Sequence, residues 1–375
     1  MKLRRVLISV LAPVGALILG LAISSIAVLL IHQSPISAFK LMAQFGIRTD
    51  SLIFTVNEAI PLFISGLAVA IGFKMNLFNI GVEGQYQLAA LLAAYVGGVA
   101  PLPGPLRIIL ILVVAMAVGA GWAGVAGVLK VTRGVHEVIS TIMLNFIAFG
   151  IIAYLLRTYL KQHNAPGDLV IKTKLIPSSG RIPSLDGLLR ALGIHPPPGV
   201  SLYGFLPLAI AIGVFYYFLV WRTRFGYDLR ASGLNADAAS VSGVDPKAMI
   251  IKTMLISGAI AGLAGMPDLF GLYQRYTIDF VTGLGFAGIA VALVGRNHPI
   301  GIGLAALLFG FLDRSAQILD LYNIPKEITI IMRGVIILAV VIAYEVVRRF
   351  VIAQDVRAAA ARTKGLATQA GVEAT

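Results

Sequence analysis

The chain has 375 residues, 58% of them hydrophobic and only 13% charged, with a net charge of +13 and no cysteine. A soluble protein needs about a quarter of its residues charged to cover its surface, so most of this chain must face lipid. The lack of cysteine excludes disulfides, thiolate metal sites and thiol nucleophiles, and the basic excess gathers in short segments between apolar runs, a pattern of membrane orientation rather than nucleic-acid binding.

Met1-Lys-Leu-Arg-Arg5 precedes an uncharged run from Val6 to Ile31. The outline is that of a signal peptide. The run, however, exceeds the roughly 7–15 residues of a signal h-region and can span about 30 Å of hydrocarbon, so it reads as a retained first helix. Apolar segments recur at 53–73, 80–99, 106–129, 138–157, 201–221, 249–271, 280–295, 300–319 and 328–347. Together they predict an all-α, polytopic membrane protein of about ten helices.

The linkers set the orientation. Lys2, Arg4 and Arg5 precede the first segment, and Lys130 and Arg133 follow the fourth. Arg222, Arg224, Arg230 and Lys247 follow the sixth, Arg296 the eighth, and Arg348, Arg349, Arg357, Arg362 and Lys364 the tenth. All lie on one side if the spans alternate, and the positive-inside rule makes that side the cytoplasm, with both termini inside. The other side carries Lys40, Arg48 and a Pro-, Gly- and Lys-rich stretch from Lys161 to Val200. Residues 1–350 read as one transmembrane domain, and 351–375 as an Ala-rich polar tail, partly disordered.

One interruption stands out, the polar island at 72–87. It carries Lys74, Asn76, Asn79, Glu83, Gln85 and Gln87 between uncharged apolar flanks. Broken helix and polar side chains persist at membrane depth only where they line a cavity or pack inside protein. The region therefore reads as a broken or re-entrant segment. Further along, His136-Glu137 open the fifth segment, with Glu137 favourable to the helix dipole. Asn145 lies two turns further in, as a bond to a neighbouring helix or as a contact with a translocation path.

The segment after the sixth span runs from Trp221 to Lys247. Asn235 is suited to N-cap a short helix over 236–241, which Gly243 ends, and Pro246 opens the next span. Such a capped knob between two membrane helices can dock in a partner's groove and transmit its motion. Gly258 and Gly262 form a Gly-x-x-x-Gly surface for close helix packing. Gly283-Leu-Gly-Phe-Ala-Gly288 matches a dinucleotide fingerprint but lacks the βαβ context and is rejected as one. Asp313 and Arg314 read as a mutual pair. Five histidines are scattered without i,i+4 pairing, so no metal site is expected.

Four segments carry a resemblance. Gly72-Phe-Lys-Met-Asn-Leu-Phe-Asn-Ile-Gly-Val-Glu-Gly-Gln85, Arg133-Gly-Val-His-Glu-Val-Ile-Ser-Thr-Ile-Met-Leu-Asn145, Arg230-Ala-Ser-Gly-Leu-Asn235 and Gly288-Ile-Ala-Val-Ala-Leu-Val-Gly-Arg-Asn-His-Pro-Ile-Gly301 occur in this order. They resemble the branched-chain amino acid/ribose-type permease family of ABC importers, in its nucleoside and simple-sugar branch. Asp237-Ala238-Ala239-x-x-x-Gly243 is similar to the Glu-Ala-Ala-x-x-x-Gly loop that seats such permeases on their ATPases, with Asp in place of Glu. Ala287 stands where family members often carry Asp, and the 267–282 connection, with Pro267 and Asp268, departs from the commonest form. Both differences bear on substrate more than class.

The resemblance implies a permease subunit in a bacterial cytoplasmic (inner) membrane, paired with a second permease subunit. ATPase subunits would bind on the cytoplasmic side, and an extracytoplasmic solute-binding protein would deliver a nucleoside or related ribose-containing solute. No Gly-x-x-x-x-Gly-Lys-Ser/Thr phosphate loop occurs in the chain, so the expectation is a non-enzymatic subunit without cofactor. Asn76, Asn79, Glu83, Gln85 and Asn145 become candidates for the translocation path. For Glu83 and the asparagines the alternative is structural, capping broken helix ends near Gly81 and Gly84, with Lys74 as ion partner. Gly226, Arg230, Gly233, Asn235, Asp237, Ala238, Ala239 and Gly243 become the ATPase-coupling segment. The competing readings are a simple-sugar or branched-chain amino acid permease, and an ion-coupled secondary transporter with Glu83 as its coupling group.

Overall fold

The computed structural model describes residues 15, 18–162, 170–339 and 342. The basic starting segment and the 351–375 tail lie outside the described residues. Among the described residues the chain is helical, with one isolated bridge, Lys172 to Thr277, and no strand. The contacts divide it into two units, one of residues up to Phe39 and from Leu319 onward, the other of Lys40–Ile318.

In the first unit, α1 (Ile18–Leu30) and α15 (Ile328–Ala339) pack through Gly20, where an added Cβ would meet Ile336 Cγ1 at 2.6 Å. An exposed bridge joins Asp320 to Lys326 at 3.0 Å. A further helix, α2 (Pro35–Gly46), runs across the boundary between the units, in a region where the sequence marked only Lys40 and Arg48.

The second unit holds α3 (Thr49–Phe73), α4 (Val82–Val99), α5 (Gly104–Arg133), α6 (Glu137–Leu155), α7 (Asp186–Ala191), α8 (Leu206–Arg222) and α9 (Arg224–Leu234). After them come α10 (Ala236–Val241), α11 (Pro246–Gly262), the single turn α12 (Met266–Asp268), α13 (Leu284–Val294) and α14 (Pro299–Ala316). α3 is central, and 17 of its residues, including all of Ile64–Gly72, are buried. α5 starts with proline in its first turn and ends on left-handed Gly134, with Lys130 and Arg133 in the last turn, each a signal its helix ends require.

α5 and α11 cross where both are reduced to small residues. A Cβ on Gly258 would overlap Gly119 O and meet Ala123, and one on Gly262 would overlap Ala115 O, so the backbones touch as the Gly-x-x-x-Gly spacing predicted. Gly258→Val should therefore lower the thermal midpoint of the purified protein, since overpacking a tight core costs about 1–3 kcal/mol or more. Gly121→Val, at a position with nothing within 4 Å, serves as the control and should leave the midpoint unchanged.

Helices lie in each apolar segment noted above, but a helix is less than a span. Among the described residues five are long and apolar enough to cross a membrane, or up to seven if each of two bent pairs counts as one. One such pair is α8 and α9, bent by 67°. The 280–295 segment reads as a full span in the sequence, yet α13 has only 11 residues, about 16 Å of helix, or half a bilayer. A second break, over 274–283, thus joins the expected one at 72–87.

Candidate functional site

The two breaks meet beside the middle of α3. Past Phe73 the chain turns back sharply, with Leu77 N bonded to Gly72 O at 3.0 Å and Asn76 left-handed at φ 57°. It then climbs along α3 to Asn79. The Asn79 amide donates to Ser257 Oγ of α11 at 2.8 Å and to Gln85 Oε1 at 3.0 Å, while its oxygen accepts from Gln85 Nε2 at 2.8 Å and from Gly81 N at 3.1 Å. Ser257 passes the connection on, donating to Ala68 O of α3 at 2.6 Å. α4 therefore starts well inside the bundle, not at its end.

A helix start buried in apolar surroundings leaves backbone N–H groups without partners. For α4, Asn145 of α6 supplies the answer: its oxygen accepts from Gly84 N at 2.8 Å and its amide donates to Ile80 O at 3.0 Å. For α13, Glu83 does so. Its Oε1 accepts from Gly283 N at 2.7 Å and from the Tyr86 hydroxyl at 2.8 Å, and its Oε2 accepts from Gly285 N at 2.8 Å. Glu83 is only 3% exposed. The glycine run that imitates a dinucleotide motif does bind an anion at a helix N-terminus, but the anion is the chain's own carboxylate.

The polar column continues further along α4. Gln87 Nε2 donates to Val281 O at 2.6 Å, and Tyr276 donates from its hydroxyl to Gln87 Oε1 at 2.7 Å. Ser65 of α3 donates to Leu284 O at 2.7 Å. Asn79, Glu83, Gln85 and Asn145 thus belong to one internally satisfied network, whereas Asn76 is exposed at the turn and outside it. Sequence reasoning missed Tyr86, Tyr276, Ser65 and Ser257 as members. Tyr86, Ser65 and Ser257 are ordinary residues in apolar helices and Tyr276 lies in the connection before α13, so only the two breaks bring them together.

Lys74 does not pair with Glu83. Its Nζ lies 5.1 Å from the Trp221 ring centroid, because Lys74 sits at the end of α3 while Glu83 lies further into the bundle. Burial first, and then the nearby Arg230, favour loss of the Lys74 proton relative to an ordinary lysine. Arg314 likewise reaches past its neighbour in sequence, donating to Asp50 Oδ2 at 3.2 Å and Gln317 Oε1 at 2.6 Å. Adjacent residues on a helix point about 100° apart, so Asp50 on α3 is the better placed partner. Glu137 Oε2 holds Lys130 Nζ at 2.5 Å, tying the start of α6 to the end of α5.

The segment after α8 is built from caps. Thr223 Oγ1 accepts from Gly226 N at 3.1 Å, and Arg230 donates to Val220 O. Asn235 Oδ1 accepts from Ala238 N at 3.0 Å to start α10, Gly243 turns left-handed at φ 82°, and Asp245 Oδ1 accepts from Lys247 N at 2.9 Å to start α11. Asp237 and Ala238 are exposed and Ala239 is buried. Leu234 is 88% exposed and Val241 92%, so the short α10 is flanked by apolar groups with nothing to cover them. Gly233 presses on the turn after α3: a Cβ there would fall 2.7 Å from Lys74 O and from Met75 Cα. Met75 is clasped from its other side by α11, where Thr253 donates to its Sδ at 3.1 Å.

The family profile described as branched-chain amino acid transport system / permease component matches residues 51–341. Among curated proteins, the guanosine ABC transporter permease protein NupP of Bacillus subtilis (strain 168) is 35% identical over 91% of this chain and 95% of its own. The glucose ABC transporter permease protein TsgB13 of Haloferax volcanii is 31% identical over 87% and 85%. The nucleoside ABC transporter permease protein NupB of Lactococcus lactis subsp. cremoris (strain MG1363) is 30% identical over 89% and 91%.

Proposed function

Because the chain belongs to the branched-chain amino acid transport system / permease component family, we propose that it forms one half of the path of an ATP-driven importer for nucleosides. The observation that carries the cargo is its 35% identity, over nearly the whole of both chains, with a permease named for guanosine. The geometry agrees with a neutral cargo. Inner helix N-termini in transporters commonly point at anionic substrate groups, but here both are filled, by Asn145 and Glu83. An amino acid carboxylate would find neither open. An ion-coupled carrier would need Glu83 to load and release its ion, and here both carboxylate oxygens hold the start of α13.

In this reading residues 1–350 work as one permease domain of about ten membrane helices, α13 reaching only part-way, with both termini in the cytoplasm of a bacterium. A second permease subunit completes the path. A solute-binding protein delivers cargo outside, and ATPase subunits grip the 226–246 segment through Leu234 and Val241. Asn79, Glu83, Gln85 and Asn145 hold the two half-helices in register beside the path and do not touch cargo. The chain itself binds no cofactor and carries no catalytic group.

Uptake of radiolabelled guanosine by cells expressing the complete transporter tests the cargo. Excess unlabelled adenosine or uridine should compete, and glucose and leucine should not. Competition by glucose, with none from nucleosides, would move the reading to that of the glucose permease relative.

A further inference from the structure

An apolar groove runs between α3, α8 and α14, outside the polar network. Its first part encloses about 340 Å³ and is lined by Ile60, Leu206, Ile210 and Leu304 among others, with no charged residue. A second part of about 700 Å³ continues it through the shared Phe63, Ile210, Ile300 and Gly303, and ends at Tyr217, Phe218 and His298. From Leu206 to Phe218 the groove follows α8 for roughly 18 Å, the reach of a long acyl chain.

Its far end is a cluster of rings beside a guanidinium. Tyr217 stacks on Trp221 at 5.6 Å and Trp221 lies 5.4 Å from His298. The Arg222 guanidinium sits 5.9 Å from the Tyr217 centroid, exposed and in no ion pair among the described residues. Aromatic rings mark the depth of lipid headgroups, and basic pockets between membrane helices bind anionic headgroups. Tail-sized cleft, ring belt and free guanidinium follow one another in the order of a phospholipid's own parts. We propose that this groove is a binding site for one anionic phospholipid, its acyl chain between α3, α8 and α14 and its phosphate on Arg222. Charge complementarity selects this occupant. A purely apolar partner surface would offer the Arg222 guanidinium no anion.

Native mass spectrometry of the assembled transporter, offered phosphatidylglycerol or phosphatidylcholine of the same chains, reads the site. The wild type should retain phosphatidylglycerol about fivefold better, as one cation near an anionic headgroup contributes. Arg222→Gln should bring the two lipids to parity. Gly303→Leu should abolish retention of both, because a Cβ there meets only the Phe63 ring, at 3.6 and 3.8 Å, and the side chain would plug the cleft. Should that variant fail to fold, Ile300→Trp at the exposed lining makes the same test. Equal retention of the two lipids by the wild type would overturn the proposal, as would undiminished retention in the plugged variant. Because the chain has no cysteine, Ile300→Cys gives a clean cross-linking probe; efficient linkage to the second permease subunit would show a protein interface there and overturn it too.

Discussion

Glu83→Gln should lower the thermal midpoint of the purified protein and reduce uptake in proportion to the folded transporter that remains. The carboxylate receives three donors, Gly283 N, Gly285 N and the Tyr86 hydroxyl. An amide has one oxygen and one donor nitrogen, so whichever way it turns, its NH₂ faces at least one backbone N–H. An unsatisfied buried donor costs about 1–3 kcal/mol, and the lost attraction to the α13 dipole adds up to about 2 kcal/mol. Glu83→Ala should be worse, since both backbone donors lose their acceptor. Glu83→Asp, one methylene shorter, should not restore the wild type because it cannot reach both glycines from α4. Tyr86→Phe removes a neutral hydroxyl whose neighbour Gln87 keeps Val281 O as an acceptor, and should show the smallest fall. The measurement separates two roles. A residue that touched cargo would lose uptake while the midpoint and the ATPase rate stayed normal, and that result would sink the clasp.

The existence of the island was legible because a carboxylate and several amides in an apolar context break both composition and period. Its purpose was not, since Glu83 spends its bonds on residues 200 and 202 positions away. The second break was written more faintly. The glycines at 283, 285 and 288 lie in a stretch whose mean hydropathy still passes for helix, so the sequence suggested a full span where α13 is a half. Length arithmetic on 280–295 could have raised the question, because 16 residues fall short of the ~20 that a crossing requires. The caps of the 226–246 segment were readable one by one, since Asn235, Gly243 and Pro246 act on neighbours in sequence. What lies across space, Gly233 on Met75 or Asn145 on Gly84, leaves no local trace.

These contacts form a continuous chain of touching parts. α9 bears on Met75 through Gly233. Met75 opens the turn that leads to Asn79 and Glu83, and Glu83 fixes the start of α13. A displacement of the 226–246 segment by the ATPases would thus reach both half-helices through the packed 74–81 turn. Packed elements of this kind shift between discrete arrangements rather than deform smoothly. Spatial adjacency does not by itself establish coupling, so the chain needs a mutation at a link that leaves the Leu234 and Val241 surface intact.

Gly233→Val is that mutation. Its Cβ would sit 2.7 Å from Lys74 O and from Met75 Cα, both backbone or backbone-anchored, so α9 must lift away from the turn by about an ångström to reach ordinary contact. Leu234 and Val241, which point outward, remain free to engage the ATPases. Uptake should fall at least tenfold while the assembled complex keeps hydrolysing ATP, because the stroke is delivered but no longer passed to the island. Gly233→Ala should show the same uncoupling to a smaller extent, its methyl being the least that forces the gap. Normal uptake in Gly233→Val would remove Met75 from the route. Loss of assembly would instead put Gly233 in the ATPase interface, and the link between stroke and half-helices would have to run through α11 alone.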